Sequence, residues 1–409
     1  MLPVEGSAYA YAYGTVGEVF AWLIGWGLVL EYMMGAMTVA VSWSGYFNKM
    51  LKMFGVYIPD NLVSDPISYA GEGWAFNLPA FIIVLIVTYI LAKGTKEAAS
   101  TNNLIVILKT SVVLFIILVG AFYINFENLT PFIPEETTII GPHGEPEVAY
   151  GFKGIIMGAS AVFFAYIGFD AVSTQAAEAI DPKKDIPFAI IASLLICTAL
   201  YILMSLVLTG MMNFNEFGTI PDGLTAPVAV AFEHATGMTW AVILITVAAT
   251  VGLISVMLVM MLGQSRIFMG MAKDGLLPPV FKDINPNTKT PVKNTIIIGV
   301  IVAFVAASTP ISTLVHMCSF GTLFAFSMVC FAVWRLRHTE PDLKRGFRTP
   351  ALPLIATLGI ATNIYLIMNL ERSAIYMALG WLTLGFLVYF LYGRNNSVLN
   401  KGGYDKIEE

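Results

Sequence analysis

The chain has 409 residues, of which 57% are hydrophobic and only 12% are charged. This is too little charged surface to coat a water-soluble globule of this size, so a soluble enzyme or binding domain is excluded. The formal net charge of -5 also excludes a basic nucleic-acid binder, because phosphate binding needs clustered cations.

Ten apolar stretches have the length of about 20 residues that a helix needs to cross about 30 Å of hydrocarbon. Their predicted limits, in chain order, are 16–47, 74–92, 103–124, 155–179, 187–212, 239–271, 293–307, 311–336, 354–370 and 373–392. The stretches do not show the alternation of barrel strands. They therefore predict an all-α, polytopic membrane protein that forms one membrane domain over residues 1–409.

The distribution of cations between the stretches predicts the orientation. Most of the 22 lysine and arginine residues fall on one side of the predicted membrane, and only Lys49, Lys52 and Arg372 fall in loops on the other side. Cytoplasmic loops retain lysine and arginine, so both termini are expected in the cytoplasm of a multi-pass protein of the cell (plasma) membrane. The loop 125–151 contains five glutamates and no cation, as expected of an external loop.

Ionisable residues inside the spans are candidates for function, since each costs at least about 2.5 kcal/mol on insertion scales. Glu31 lies in the middle of the first span, where a protonated structural carboxyl and a substrate- or proton-handling group are both open. Lys109 lies about two turns inside the third span, where snorkelling to the interface and a proton-handling role are both open. Desolvation favours the second role, because a desolvated lysine is suited to taking up and releasing a proton. Arg266, near a cytoplasmic span end, is expected to anchor that end.

The fourth span is interrupted by Ile167-Gly168-Phe169-Asp170. A glycine followed by a helix-disfavouring aspartate at mid-depth favours an unwound helix. Unwinding exposes backbone polar groups, which a membrane helix tolerates only where they line a cavity or bind a ligand. The alternative is a glycine that permits close helix packing. The aromatic residues around the interruption favour a binding site.

The sequence contains neither a phosphate-binding loop with the Walker A pattern nor an HExxH zinc motif, and its histidines are scattered singly. The cysteines Cys197, Cys318 and Cys330 fall inside apolar runs without metal-ligand spacing. We therefore expect that the protein is not an enzyme and that it holds no metal or cofactor.

Five segments resemble, in order, the cationic amino acid transporter branch of the amino acid, polyamine and organocation superfamily, in its bacterial form. They are residues 3–32, 163–190 (beginning FFAYIGFD), 263–281 (GQSRIFMGMAKDGLLPPVF), 319–326 (SFGTLFAF) and 341–350 (PDLKRGFRTP). The resemblance extends over essentially the whole chain and depends on several ordered motifs, so it is specific.

The resemblance implies the leucine-transporter-like fold, in which two inverted five-helix repeats are followed by two further helices. The ten spans resemble helices three to twelve: 16–124 is the remainder of the first repeat, 152–337 the second repeat, 353–392 the two last helices and 393–409 a cytoplasmic tail. Two helices, including the broken first helix that supplies about half of the substrate site, have no counterpart in this sequence. The 409-residue chain is therefore expected to bind amino acids weakly or not at all.

The resemblance also implies the site residues and a function, secondary active and proton-coupled symport of amino acids. The substrate would be bound by Glu31, Phe164, Ala165, Ile167, Gly168, Asp170 and Met260. The proton, the coupling ion, would be handled by Lys109 and Ser255. The apolar Met260 suits small neutral amino acids. The expected partners are the amino acid and the lipid bilayer, without nucleic acid, and the oligomeric state is left open.

Two alternatives remain open at this point. One is a truncated, transport-incompetent fragment or partner subunit of such a permease, which in-frame upstream DNA encoding two more helices would exclude. The other is an ion channel, which would need rings of selectivity groups from several subunits.

Overall fold

The computed structural model describes residues 9, 12–13, 16–94, 98–140, 146–168, 181–220, 222–286, 288, 290–342 and 347–401. Within these residues the fold is helical apart from one two-stranded hairpin. The all-α, polytopic class predicted from the sequence is therefore confirmed. The division of the chain into repeats stays a prediction.

The helices are numbered here in chain order. They are α1 (Glu18–Met53), α2 (Leu78–Lys93), α3 (Ala98–Gly120), α4 (Gly151–Val162), α5 (Pro182–Met211), α6 (Pro227–Thr236), α7 (Thr239–Lys273), α8 (Val292–Ser308), α9 (Ile311–Thr339), α10 (Leu352–Ile367), α11 (Arg372–Val388) and α12 (Arg394–Asn396). Short 3-10 turns cover Asp60–Leu62, Ala121–Tyr123, Phe126–Leu129, Phe163–Tyr166 and Pro279–Phe281, and a π turn covers Tyr389–Gly393. The strands are β1 (Thr137–Ile140) and β2 (Pro146–Ala149).

Each predicted span overlaps an apolar helical segment of the structure. Among the described residues, six segments are long and apolar enough to cross a membrane: Glu18–Met53, Ile105–Tyr123, Lys184–Met211, Thr239–Lys273, Ile311–Thr339 and Arg372–Asn396. Four shorter apolar segments are Leu78–Lys93, Gly151–Tyr166, Val292–Ser308 and Leu352–Ile367. The fourth predicted span, 155–179, is described only as far as residue 168.

Helix α1 forms the centre of the bundle and packs mainly against α7 and α9. In its most apolar stretch 83% of the residues are buried within the protein, against 6% in α5. A helix that is apolar on all sides needs such complete burial, whereas α5 is left with a broad apolar surface of the kind that faces lipid or another helix. Helix α2 packs on α8, α3 on α7, and α9 on α10 and α11.

Glycines allow two of these helices to approach closely. A Cβ atom at Gly321 of α9 would lie 2.9 Å from the backbone nitrogen of Glu31 and 3.2 Å from its Cα atom. Any larger residue would push α9 away from α1, so Gly321 fixes the position of Glu31 at the interface of the two helices.

Two elements were not predicted from the sequence. The strands β1 and β2 pair antiparallel, with Thr137 opposite Ala149, in the loop predicted to be external. Helix α6 is amphipathic and only ten residues long, too short to register as a span. Two ion pairs connect α6 and the loop before it to the end of α1. Lys49 Nζ lies 2.6 Å from Glu233 Oε2 of α6, and Lys52 Nζ lies 2.9 Å from Asp222 Oδ1 of the loop.

At the end of α7, the N-terminal segment meets the C-terminal one. The Tyr9 hydroxyl donates to Asp274 Oδ2 at 2.7 Å, and the Val398 backbone N–H donates to the Asp274 carbonyl at 3.0 Å. The Tyr13 hydroxyl lies 3.1 Å from Ser397 Oγ. Burial raises the pKa of Asp274, although the hydrogen bond from Tyr9 opposes this. The contact therefore depends on a carboxyl group that is partly withdrawn from water.

Candidate functional site

The α-helix of the fourth span ends at Val162 and continues as the 3-10 turn Phe163–Tyr166. Ile167 then adopts an extended conformation with φ -59° and ψ 137°. Gly168 has φ +97°, in the region that favours glycine because other residues carry a Cβ atom. The regular helix therefore ends just before Ile167–Gly168, where the break was predicted. The rest of the predicted span, including Asp170, lies outside the described residues.

Ser319 of α9 satisfies two backbone groups at the break. Its hydroxyl oxygen accepts a hydrogen bond from the Phe164 N–H at 3.2 Å and donates to the Ala161 carbonyl at 2.8 Å. A hydroxyl can serve a donor and an acceptor at once, and the Ala161 carbonyl also accepts from a backbone N–H at the end of α4. Ser319 itself is fully buried. The Phe164 carbonyl accepts from the Ile167 N–H at 3.0 Å, which closes the turn.

Helix α5 contacts the same turn through hydroxyl groups. The Tyr201 hydroxyl donates to the Ala165 carbonyl at 2.6 Å, and the Tyr166 hydroxyl lies 3.0 Å from Thr198 Oγ1. Because Thr198 already donates to Leu194 in its own helix, Tyr166 is the donor of the second bond. The rings of Tyr166 and Tyr201 meet edge to face, with centroids 5.5 Å apart. The break is thus bonded to both α9 and α5.

An apolar cluster of four helical segments lies beside the break. A Cβ atom at Gly35 of α1 would lie 3.1 Å from Ile167 Cδ1, 3.6 Å from Met260 Sδ and 3.7 Å from Cys318 Sγ. A Cβ atom at Gly168 would lie 3.5 Å from Met260 Cε. The structure therefore brings the predicted residues Ile167, Gly168 and Met260 together. It adds Gly35 and Cys318, which the sequence did not single out.

Glu31 lies one helical turn before Gly35, on the same side of α1. The whole residue is buried, and its backbone carbonyl lies 3.2 Å from the Cys318 thiol of α9. Glu31 is therefore part of the same region, close to the apolar cluster. That Glu31, Phe164, Ala165, Ile167, Gly168 and Met260 bind a substrate stays a prediction.

Lys109 and Ser255 are in direct contact, although they lie on different helices. Lys109 Nζ donates to Ser255 Oγ at 2.9 Å, and Ser255 Oγ donates to the Gly252 carbonyl at 2.9 Å. A Cβ atom at Gly252 would lie 2.7 Å from Lys109 Cδ, so the glycine makes room for the lysine to pass across α7. The role of the pair in proton coupling stays a prediction.

Helix α7 carries a residue of each group. Ser255, which contacts Lys109, and Met260, which contacts the break, are separated by five residues, about 7.5 Å along the helix axis. A displacement of α7 would thus change the surroundings of both. Arg266, further along α7, is exposed, as expected of an anchor at a span end.

Several functional candidates were missed in the sequence. Thr198 and Tyr201 are three residues apart and so share one face of α5, which is a weak polar signal in an apolar span. Ser319 gave no such signal, since serines of membrane helices usually bond to their own backbone.

Comparison with known proteins also indicates a membrane transporter. A family model of amino acid permeases matches residues 1–388. The branched-chain amino acid permease BcaP of Bacillus subtilis (strain 168) is 41% identical over 98% of this chain and 82% of its own length. The methylthioribose transporter of the same organism is 39% identical over the same shares. The vacuolar cationic amino acid transporter 4 of Arabidopsis thaliana is 36% identical over 83% of this chain and 54% of its own length.

These matches agree with the multi-pass helical fold. The resemblance inferred from the sequence motifs is confirmed, as is the expectation of a transporter and not an enzyme. The chain belongs to the amino acid permease family.

Proposed function

We propose that the protein is a proton-coupled symporter of neutral amino acids, with its substrate site at the break Ile167–Gly168. The observation that carries this proposal is the loss of regular helix at Ile167–Gly168, beside α1 and α7, with the preceding turn bonded to hydroxyl groups of α5 and α9. Irregular backbone at membrane depth is characteristic of transporter substrate sites.

The polar part of the site suits a zwitterion. The 3-10 turn Phe163–Tyr166 ends at the break, and the carbonyl end of a helical segment carries partial negative charge, which favours an ammonium group. Glu31 is fully buried and lies one helical turn before Gly35, which brings a carboxyl group close to the same region. Both features favour a substrate with a cationic amine.

The apolar part of the site favours an aliphatic side chain. Gly35, Ile167, Met260 and Cys318 meet there, and none of them carries a charge. The name of BcaP refers to branched-chain amino acids, which agrees with such a site. The methylthioribose transporter is almost equally similar to this chain, so sequence identity alone does not indicate which substrate is carried. The chemistry of the cluster and of the turn favours the amino acid.

The contact between Lys109 and Ser255 suits a residue that gains and loses a proton. With Lys109 charged, Ser255 Oγ accepts from Nζ and donates to the Gly252 carbonyl. With Lys109 neutral, the amine nitrogen has a lone pair and the hydroxyl can donate to it instead. Lys109 and Ser255 can therefore form a hydrogen bond whether the Lys109 amine is charged or neutral. Since α7 also contacts the break, protonation of Lys109 can be coupled to substrate binding.

We further propose that the protein lies in the cell membrane with both termini in the cytoplasm. The cation distribution supports this orientation. Two of the three cations on the opposite side, Lys49 and Lys52, pair with the carboxylates of Glu233 and Asp222. Labelling of a cysteine introduced at Glu135 from the outside of intact cells would agree with the orientation, and labelling only after lysis would refute it.

Uptake into proteoliposomes tests the function. We expect an inside-alkaline pH gradient to drive leucine and alanine uptake, a protonophore to abolish it, and arginine and methylthioribose to compete poorly. Leucine uptake that ignores the gradient would refute proton coupling, and uptake of methylthioribose without any amino acid would refute the substrate class. The 409-residue chain and a form that retains any in-frame upstream codons are both assayed, which separates a symporter from a transport-incompetent fragment.

A further inference from the structure

The backbone groups at the helix break are held by side chains of two other helices. Ser319 of α9 bonds both the Phe164 N–H and the Ala161 carbonyl, and Tyr201 of α5 bonds the Ala165 carbonyl. These groups lie on the turn that, under the proposed function, faces the main chain of the substrate. The conformation of that turn therefore depends on hydroxyl groups far away in sequence.

We propose that Ser319 and Tyr201 are positioning residues that fix the helix break, and that they set the affinity for the main chain of the substrate without selecting its side chain. The inference depends on the proposed function for its consequence in transport. Its structural part, that the two hydroxyls hold the break, stands independently of transport.

Ser319 is suited to this role because it is completely buried and both of its bonds cross from α9 to the broken helix. Without the hydroxyl, the Phe164 N–H and the Ala161 carbonyl would lose their bonds to α9, and at Ala161 only the backbone donor at the end of α4 would remain. The turn would then be free to adopt other conformations, and a substrate would have to select the competent one. Affinity falls in proportion to the population of that conformation.

Tyr201 acts on the other side of the same turn. Its hydroxyl donates at 2.6 Å to the Ala165 carbonyl, and its ring packs edge to face on Tyr166. Substitution by phenylalanine removes only the hydroxyl oxygen and retains the ring contact. Tyr201→Phe therefore isolates the hydrogen bond from the packing.

Neither residue belongs to the apolar cluster. Ser319 follows Cys318 directly, and successive residues of a helix point in directions about 100° apart. Cys318 contacts α1 at Glu31, whereas Ser319 contacts the broken helix. Loss of the Ser319 hydroxyl should therefore weaken all amino acid substrates alike, whatever their side chain.

The transport test compares Ser319→Ala and Tyr201→Phe with the wild type. Ser327→Ala is the matched control, because Ser327 is also a buried hydroxyl of α9 but bonds the Leu323 carbonyl of its own helix at 2.8 Å. For alanine, valine and leucine we expect KM to rise by about three- to tenfold, by the same factor for each substrate, with kcat retained. The control should stay close to the wild type. A rise in KM that differs among the three substrates would overturn the inference.

Hydrogen exchange measured by mass spectrometry tests the structural part without transport. In Ser319→Ala and in Tyr201→Phe, amides of residues 160–168 should exchange about two- to tenfold faster than in the wild type and in Ser327→Ala. Unchanged exchange in both variants would overturn the inference. If Ser319→Ala does not fold, Tyr201→Phe decides the question by itself. If the wild type takes up no amino acid, the proposed function fails, and exchange still decides whether the two hydroxyls hold the break.

Discussion

The Lys109 ammonium lies 2.9 Å from the Ser255 hydroxyl, and this half-buried hydrogen bond joins a titratable residue of α3 to α7. Helix α7 also carries Met260, whose side chain contacts the broken helix. A change of charge at Lys109 therefore acts on a helix that forms part of the candidate substrate site. This arrangement gives a physical route between a proton and a substrate.

Replacement of Lys109 should uncouple transport from the proton. In Lys109→Ala, neither the bond to Ser255 nor the titratable amine remains, so we expect residual leucine uptake to lose its response to the pH gradient. Lys153→Ala is a suitable control, because Lys153 is exposed at the start of α4. Uptake into proteoliposomes at several imposed gradients measures the effect. A Lys109→Ala protein that keeps the full gradient dependence would refute the coupling role.

Gly35→Ala should narrow the candidate site for the substrate side chain. The added methyl group would lie 3.1 Å from Ile167 Cδ1, so the ratio of leucine to alanine uptake should fall by about tenfold. Gly27→Ala is a matched control on the same helix, since its methyl group would lie 3.1 Å from Phe324 Cδ1. Competition between the two labelled amino acids measures the ratio. An equal change in both variants would show that Gly35 has no special role.

The burial of Asp274 at its contact with Tyr9 should make stability depend on pH. Burial raises the pKa of Asp274 above its ordinary value of 3.8, so the folded protein holds this proton more tightly than the unfolded chain. Burial of the carboxyl group is therefore least costly below about pH 4, where it is protonated, and stability is lost as pH rises through the raised pKa. Asp274→Asn keeps an acceptor for Tyr9 and carries no charge. The melting temperature of Asp274→Asn, relative to that of the wild type, should increase as pH rises from about 4 to 7. A difference in melting temperature that does not change with pH would contradict the prediction.

The ion pair of Lys49 with Glu233 should stabilise the attachment of α6 by a small amount. The two atoms are 2.6 Å apart, but the Glu233 side chain is 57% exposed, so water screens the attraction. A double-mutant cycle with Lys49→Met and Glu233→Gln should give a coupling energy of about 0.2–1 kcal/mol that decreases with salt. The exposed pair Lys293 and Asp283 provides a control at a different site. A coupling energy above about 2 kcal/mol would mean that the pair is far less hydrated than its exposure indicates.

The membrane helices and the break were predictable because each leaves a local mark in the sequence. Apolar runs of the right length indicate spans, and Gly168 interrupts one of them where no other residue easily adopts a positive φ. The pairing of Lys109 with Ser255 was implied by the family resemblance, since no local pattern joins residues so far apart in sequence.

The hydroxyl groups that hold the break could not be predicted in the same way. Ser327 and Thr322 bond carbonyls of their own helix α9, whereas Ser319 bonds the broken helix instead. All three look alike in the sequence, because the difference depends on which face of α9 meets α4. Helix α6 was missed for another reason, since ten residues with mixed polarity give no membrane signal.

Leucine uptake into proteoliposomes under an inside-alkaline pH gradient tests the central claim most directly. The protein is expressed from its gene with any in-frame upstream codons retained, and Lys109→Ala is assayed beside it. We expect the wild type to accumulate leucine only while the gradient persists, and the variant to show no gradient-driven accumulation. Gradient-driven accumulation in both proteins, or in neither, would contradict the account of a proton-coupled amino acid symporter.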